Sequence, residues 1–250
     1  MAEPMELDDF LRYQPVPAIP IISSGLMYSG SRVLLYGKYK TMKSMLALRL
    51  ALALSRGESW MGFETIKGGC DVMYLQLEIP NPMLQERTRK MLTNMGPNLT
   101  KHKLYIWTQP TLKLDTPEGY QLLSDMLNKY KPKVLIIDPI YKVVSGDLLS
   151  TIHIQKLVDW IDLLVDTHQL GLMMVHHSRK GAYEEWGSDD MLGSVIFSAW
   201  ADSILKVERR GSNEIVMHFD VVRHATEELP ARIYKVDLTN ISFTNTGRTI

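Results

Sequence analysis

The 250-residue chain carries one cysteine, Cys70, and so cannot close an internal disulfide. That excludes a secreted, disulfide-stapled scaffold and favours a reducing compartment. An excess of charge of either sign is also missing, because 28 Lys and Arg balance 28 Asp and Glu. With no chain-wide basic coat, any hold on nucleic acid must come from local patches, or from many copies set around a ring axis. Long apolar runs are lacking too: the stretch 45–54 is interrupted by Arg49 and is too short to span a bilayer. The first residues bring Glu3, Glu6, Asp8 and Asp9 where a secretory signal would be basic, and no apolar run of signal length follows. These absences predict a soluble, cytoplasmic protein with no membrane partner. The apolar content of 45% is ordinary for a globular domain and excludes disordered and collagen-like classes.

The length suits one large domain with a small appendage. Residues 1–24, broken into extended pieces by Pro15, Pro17 and Pro20, read as an N-terminal arm that could contact another subunit. Residues 25–250 then form the domain. Aliphatic runs at 32–36, 70–77, 104–108, 134–137 and 172–175 predict buried strands. Helical composition or periodicity fills 44–54, 82–95, 116–130 and 152–169 between them. Beyond residue 200 strands dominate, at 203–207, 214–222, 231–237 and 241–244, while the polar, glycine-punctuated stretch 181–190 reads as a loop. The expectation is an α/β fold: a mostly parallel, helix-flanked sheet with antiparallel C-terminal strands.

Between the first strand and the first helix lies Gly37-Lys38-Tyr39-Lys40-Thr41-Met42-Lys43-Ser44, followed by Met45. It matches the phosphate-loop pattern G-x-x-x-x-G-K-[ST] except that Met42 stands at the second glycine. In such a loop, backbone N–H groups and the helix dipole converge on the phosphates. Lys43 would reach the β- and γ-oxygens and the Ser44 hydroxyl would ligate Mg²⁺. A basic turn before an amphipathic helix is the plainer alternative; the strand–loop–helix context argues against it.

Asp138 ends the strand Val-Leu-Ile-Ile, where parallel sheets place their ligand crevice. Alone it could merely cap the following turn. Paired with the phosphate loop it becomes a Mg²⁺ ligand opposite Ser44. Glu78 ends another apolar strand and Pro80 prevents continuation, so its carboxylate could orient or deprotonate an attacking water; an ordinary exposed glutamate is the alternative. Arg87, on the following helix, lies near enough to meet a carboxylate or a phosphate. His176 and His177 follow the strand 172–175. Adjacent strand residues face opposite ways, so a shared zinc ion is not expected, and one ring is expected to sense the γ-phosphate while the other packs or hydrogen-bonds in the core.

Five segments carry a resemblance in order: Leu34–Leu54, Val72–Arg87, Val134–Ile140, Met174–Gly181 and Leu192–Asp202. Over about residues 25–240 the chain resembles the RecA-like ATPase core, in the single-domain branch of hexameric replicative helicases typified by plasmid RepA proteins and related phage ATPases. The resemblance implies ATP and Mg²⁺ as ligands, with Lys43 and Ser44 in the Walker A role and Asp138 in the Walker B role. It implies Glu78 as catalytic glutamate, His177 as γ-phosphate sensor, and Arg87 as the arginine that follows the catalytic glutamate. It also implies self-association into a hexameric ring or a filament. Two loops, about 143–153 and 180–192, would then grip single-stranded DNA, although the second is rich in Glu and Asp. Asp202 stands where the plasmid proteins carry their inter-subunit arginine. Arg223, in the expected strand 219–224, becomes the candidate trans finger, with Arg209 and Arg210 in reserve. The function implied is a DNA-directed ATP motor of replication or recombination; a filament-forming recombinase and an ATP-binding scaffold stand beside it.

Overall fold

The computed structural model describes residues 4–15, 17–97, 102–146, 151–177 and 194–250. A nine-stranded sheet forms the frame. In chain order its strands are β3 (Arg32–Tyr36), β4 (Val72–Gln76), β5 (Leu104–Thr108), β6 (Val134–Asp138), β7 (Gly171–Val175), β8 (Ser203–Arg210), β9 (Glu214–Val222), β10 (Arg232–Asp237) and β11 (Ser242–Thr249). Across the sheet they run β11-β10-β9-β8-β3-β7-β6-β4-β5. From β8 to β5 every neighbouring pair is parallel; β9, β10 and β11 continue antiparallel. The helices are α1 (Leu7–Arg12), α2 (Lys43–Arg56), α3 (Asn81–Met95), α4 (Pro117–Tyr130), α5 (Thr151–His168) and α6 (Ser194–Trp200). No helix among the described residues is long and apolar enough to cross a membrane.

The period of two along each central strand divides the interior into two cores. Val33, Leu35, Val72, Tyr74, Val134, Ile136, Met173 and Val175 face α2 and α3. Leu34, Tyr36, Met73, Leu75, Leu135, Ile137, Leu172 and Met174 face α4, α5 and α6. Strands buried on both faces read as continuous aliphatic runs, which is why they stood out in the sequence. Helix α2 is buried almost all round from Leu46 to Arg56, because the sheet covers one side and Trp60, Phe63 and Tyr234 close the other. The Trp60 indole N–H donates to the Leu46 carbonyl at 3.0 Å, so the large ring enters the core without an orphaned donor. Helix α4 starts where expected: Thr116 accepts from the Gly119 N–H at 3.2 Å and Pro117 occupies the first turn.

Three segments differ from the sequence expectation. The arm is not wholly extended: residues 7–12 coil into α1, which buries no side chain. Two short antiparallel strands, β1 (Pro20–Ile22) and β2 (Met27–Tyr28), follow it. Ile21, Ile22, Leu26 and Met27 all enter the core, so the end of the expected arm packs with the domain. The final strand runs on to Thr249 rather than stopping near residue 244. Its outward face is polar, and polar alternation without burial leaves no aliphatic run to read.

Candidate active site

The order β3-β7-β6-β4 sets four strand tips side by side at the C-terminal edge of the parallel sheet. One tip continues into the phosphate loop, one into His176 and His177, one ends in Asp138, and one leads through Gln76 to Glu78. Side chains far apart in sequence therefore meet along one crevice, as open α/β sheets arrange them.

The loop wraps tightly against its neighbour. A Cβ on Gly37, at φ 154°, would stand 2.2 Å from the Val207 carbonyl oxygen of β8. Only a residue without a side chain permits that approach. Thr41 donates to the Lys38 carbonyl at 2.9 Å, and the Lys43 ammonium bonds the Gly37 and Lys38 carbonyls at 2.9 and 2.7 Å. Met42, at the N-cap of α2, is left-handed, with φ 71°. It thus takes the backbone shape that the glycine of a phosphate loop supplies, with its side chain packed on the core as partial compensation. No side chain among the described residues caps the start of α2, which leaves its first N–H groups open.

Opposite the loop, the Ser44 hydroxyl donates to Asp138 Oδ1 at 3.0 Å. Tyr74 donates to Oδ2 at 2.5 Å and the Gln76 amide reaches it at 3.4 Å. Asp138 is 1% exposed. Burial pushes its carboxyl above the usual range, while the bonds from Tyr74 and Ser44 pull the other way. Burial also draws Lys43 down to about 8, against the attraction of Asp138. A desolvated carboxylate and a desolvated ammonium are each stabilised by a new opposite charge: a cation at Ser44 and Asp138, a polyanion at Lys43. The donor set suits Mg²⁺, a hard cation that takes one or two protein oxygens and completes its shell with phosphate and water.

Gln76 shapes the next tip. Its side-chain Oε1 accepts from the Glu78 and Ile79 N–H groups at 2.7 and 3.1 Å, which turns the chain so that Glu78 faces the cleft. The Tyr141 hydroxyl donates to Glu78 Oε1 at 2.8 Å. The two histidines separate as opposite faces require. His176 is buried against Phe197, with ring centroids 5.3 Å apart. His177 stands in the cleft beside Tyr39 and Tyr141, at 6.1 and 5.6 Å. Its Nδ1 is buried and has no hydrogen-bond partner among the described residues, and burial followed by Lys43 lowers its pKa, so the ring is neutral near pH 7.

These groups line an open cleft of about 400 Å³ bounded by residues 39–45, Glu78, Ile79, Arg87, His177 and Arg209. Gly37 and Lys38 reach it through the carbonyls that hold Lys43. Arg223 is not brought to this cleft. It follows the end of β9 at the opposite edge of the sheet, where its guanidinium bonds the Ala201, Ser198 and Ala199 carbonyls at 3.0, 3.4 and 2.7 Å. Arg209 is the late-strand cation beside the chain's own cleft. Of the two expected DNA loops, residues 147–150 of the first and all of 180–192 lie outside the described residues.

The sequence reading missed Tyr74, Gln76 and Tyr141. Gln76 had a visible signal, an amide inside an otherwise apolar strand, where a buried polar group must have partners. Tyr74 and Tyr141 had none, because tyrosine is common in strands and turns.

A family profile described as an AAA domain matches residues 2–183. No curated protein matches the chain. Among solved structures, the crystal structure of the RadB recombinase is similar over 94% of both chains, with a TM-score of 0.60 and 15% identity. The profile match, which spans most of the chain, places it in the AAA-domain family, and its strand order and strand–loop–helix geometry share the fold of the RadB recombinase structure.

Proposed function

We propose that the chain is a Mg²⁺-dependent ATPase of the RecA and RepA type, a ring-forming motor that acts on single-stranded DNA in replication or recombination. The observation that carries this reading is the convergence of Lys43, the Ser44–Asp138 pair, Glu78 and His177 on four adjacent strand tips. Lys43 leaves its loop carbonyls to hold the β- and γ-oxygens, and the open N–H groups of α2 take the rest of the phosphate charge. Ser44 and Asp138 would hold Mg²⁺, which would offset the negative charge on the phosphates. Glu78 accepts a proton from the attacking water, and Arg87, which lines the same cleft, pairs with phosphate. Neutral His177, whose Nδ1 has no partner among the described residues, reads the γ-phosphate as a hydrogen-bonding group rather than as a charge.

Head-to-tail packing would complete each site with a cation from the next subunit. Arg223 stands at the edge of the sheet away from its own phosphate loop, which is compatible with service to a neighbour. A filament-forming, recombinase-like protein is the second reading, favoured by likeness over nearly the whole chain to a structure titled a recombinase. Steady-state ATP hydrolysis by the wild type, Lys43→Ala and Glu78→Gln, with and without single-stranded DNA, tests the first reading. Hydrolysis stimulated by DNA and abolished in both variants is expected. Absence of nucleotide binding by the wild type in Mg²⁺ would overturn it; electron microscopy then separates rings from filaments.

A further inference from the structure

We propose that Tyr141 is a positioning residue for Glu78: its phenolic O–H fixes one carboxylate oxygen while its ring braces His177, so that base and phosphate sensor are set as a unit. This rests on the reading of Glu78 and His177 given above. The hydroxyl donates to Glu78 Oε1 at 2.8 Å, and the ring meets the His177 ring edge-on, with centroids 5.6 Å apart and planes at 61°. Burial first and the adjoining carboxylate second raise the phenol's pKa, so its proton stays available for donation at any working pH. A carboxylate with one oxygen bonded in this way loses rotational freedom, and its second oxygen is left to meet water.

Tyr141 can hold that position because its own turn is tied down. The turn residues 140–142 form a 3₁₀ helix directly after β6. Lys113 donates to the Lys142 and Val144 carbonyls at 2.6 and 3.0 Å, and Leu114 N–H to the Val143 carbonyl at 2.7 Å. The buried Asp115 carboxylate accepts from the Ser145 N–H and from its hydroxyl, the latter at 2.6 Å. Residues 113–115 thus strap the segment 142–145 from below. An aromatic placed by a strapped turn, rather than by a free loop, is what a fixed hydrogen bond to a catalytic base needs.

The test compares full-length wild type, Tyr141→Phe, Tyr141→Leu and Glu78→Gln for ATP turnover, KM, binding of a fluorescent ATP analogue and thermal unfolding. Tyr141→Phe, which keeps the ring, is expected to lower kcat about tenfold, the scale of one hydrogen bond to a charged group. Its KM, nucleotide affinity and unfolding temperature should match the wild type. Tyr141→Leu, which also removes the brace on His177, should lower kcat further. Wild-type or faster turnover by Tyr141→Phe, with Glu78→Gln inactive, overturns the role of Tyr141 alone. Equal losses of kcat and nucleotide affinity would mark a merely structural residue and overturn it as well. If Glu78→Gln turns over like the wild type, the assignment of Glu78 as base fails, and the role of Tyr141 fails with it.

Discussion

Met42 holds a left-handed backbone at the position where phosphate loops carry glycine, at a cost of about 1 kcal/mol for an L-residue. An unbranched side chain tolerates that shape; a β-branched one does not. Met42→Val is therefore expected to lose about 1–2 kcal/mol of stability and to bind nucleotide more weakly. Met42→Gly exchanges relieved strain for lost packing and should leave both within about 1 kcal/mol of the wild type. Thermal unfolding and titration with labelled ATP check the pair. Lys43 sets a pH dependence. Its pKa of about 8 in the folded chain lies below the ordinary 10.5, so between those values the unfolded chain binds a proton that the folded chain does not. The stability of the nucleotide-free protein should accordingly rise as pH climbs from about 8 to about 10.5. Nucleotide affinity should run the other way, falling by up to about tenfold per pH unit above 8, because the phosphates require the charged ammonium. Parallel melting and binding curves from pH 7 to 10 decide it. At this scale the sequence was most legible where chemistry fixes spacing: Lys43 and Ser44 were visible because a phosphate loop allows little variation. Tyr141 was invisible because its role depends on a turn packed from residues 113–115, a contact that no local pattern records.

At the scale of elements, the buried strands were readable because both faces of the central sheet are covered, and continuous aliphatic runs have few other uses. The N-terminal segment misled for the complementary reason. Prolines do break it, but the short α1 carries no buried stripe to announce it, and Ile21 and Ile22 find their core through β2 and through distant residues such as Thr65, Ile66 and Gly171. Strand order was likewise beyond reach, since nothing local states that β7 and β6 insert between β3 and β4. That insertion is what brings His177 and Asp138 between the phosphate loop and Glu78. The contact of the loop with β8 yields a prediction at the same scale. In Gly37→Ala the new methyl would meet the Val207 backbone oxygen, which cannot rotate away. The loop must then lift from β8, and a loss of about 1–3 kcal/mol is expected, with weakened ATP binding. If Gly37→Ala melts and binds as the wild type does, the close approach is not needed to shape the site.

For the whole molecule the decisive matter is whether one chain makes a complete site. The cleft of this chain has its own Arg87 and Arg209, while Arg223 is engaged with the carboxyl end of α6 at the far edge of the sheet. Balanced charge gives no pull toward DNA by the chain as a whole, so a motor function depends on local patches brought together by assembly. If Arg223 serves a neighbour, Lys43→Ala and Arg223→Ala subunits fail for different reasons. The first lacks a working phosphate grip but can still lend its arginine; the second has the grip and lacks the loan. Each alone should be inactive, and mixing them in equal amounts should restore hydrolysis. Random assembly makes about one interface in four whole, so recovery should approach about a quarter of the wild-type rate. Arg223→Ala also frees the α6 carbonyls, so equal unfolding temperatures must be established before the mixture is read. With stable variants and no recovery on mixing, Arg223 does not complete a neighbour's site, and the cation must be sought among Arg209 and Arg210.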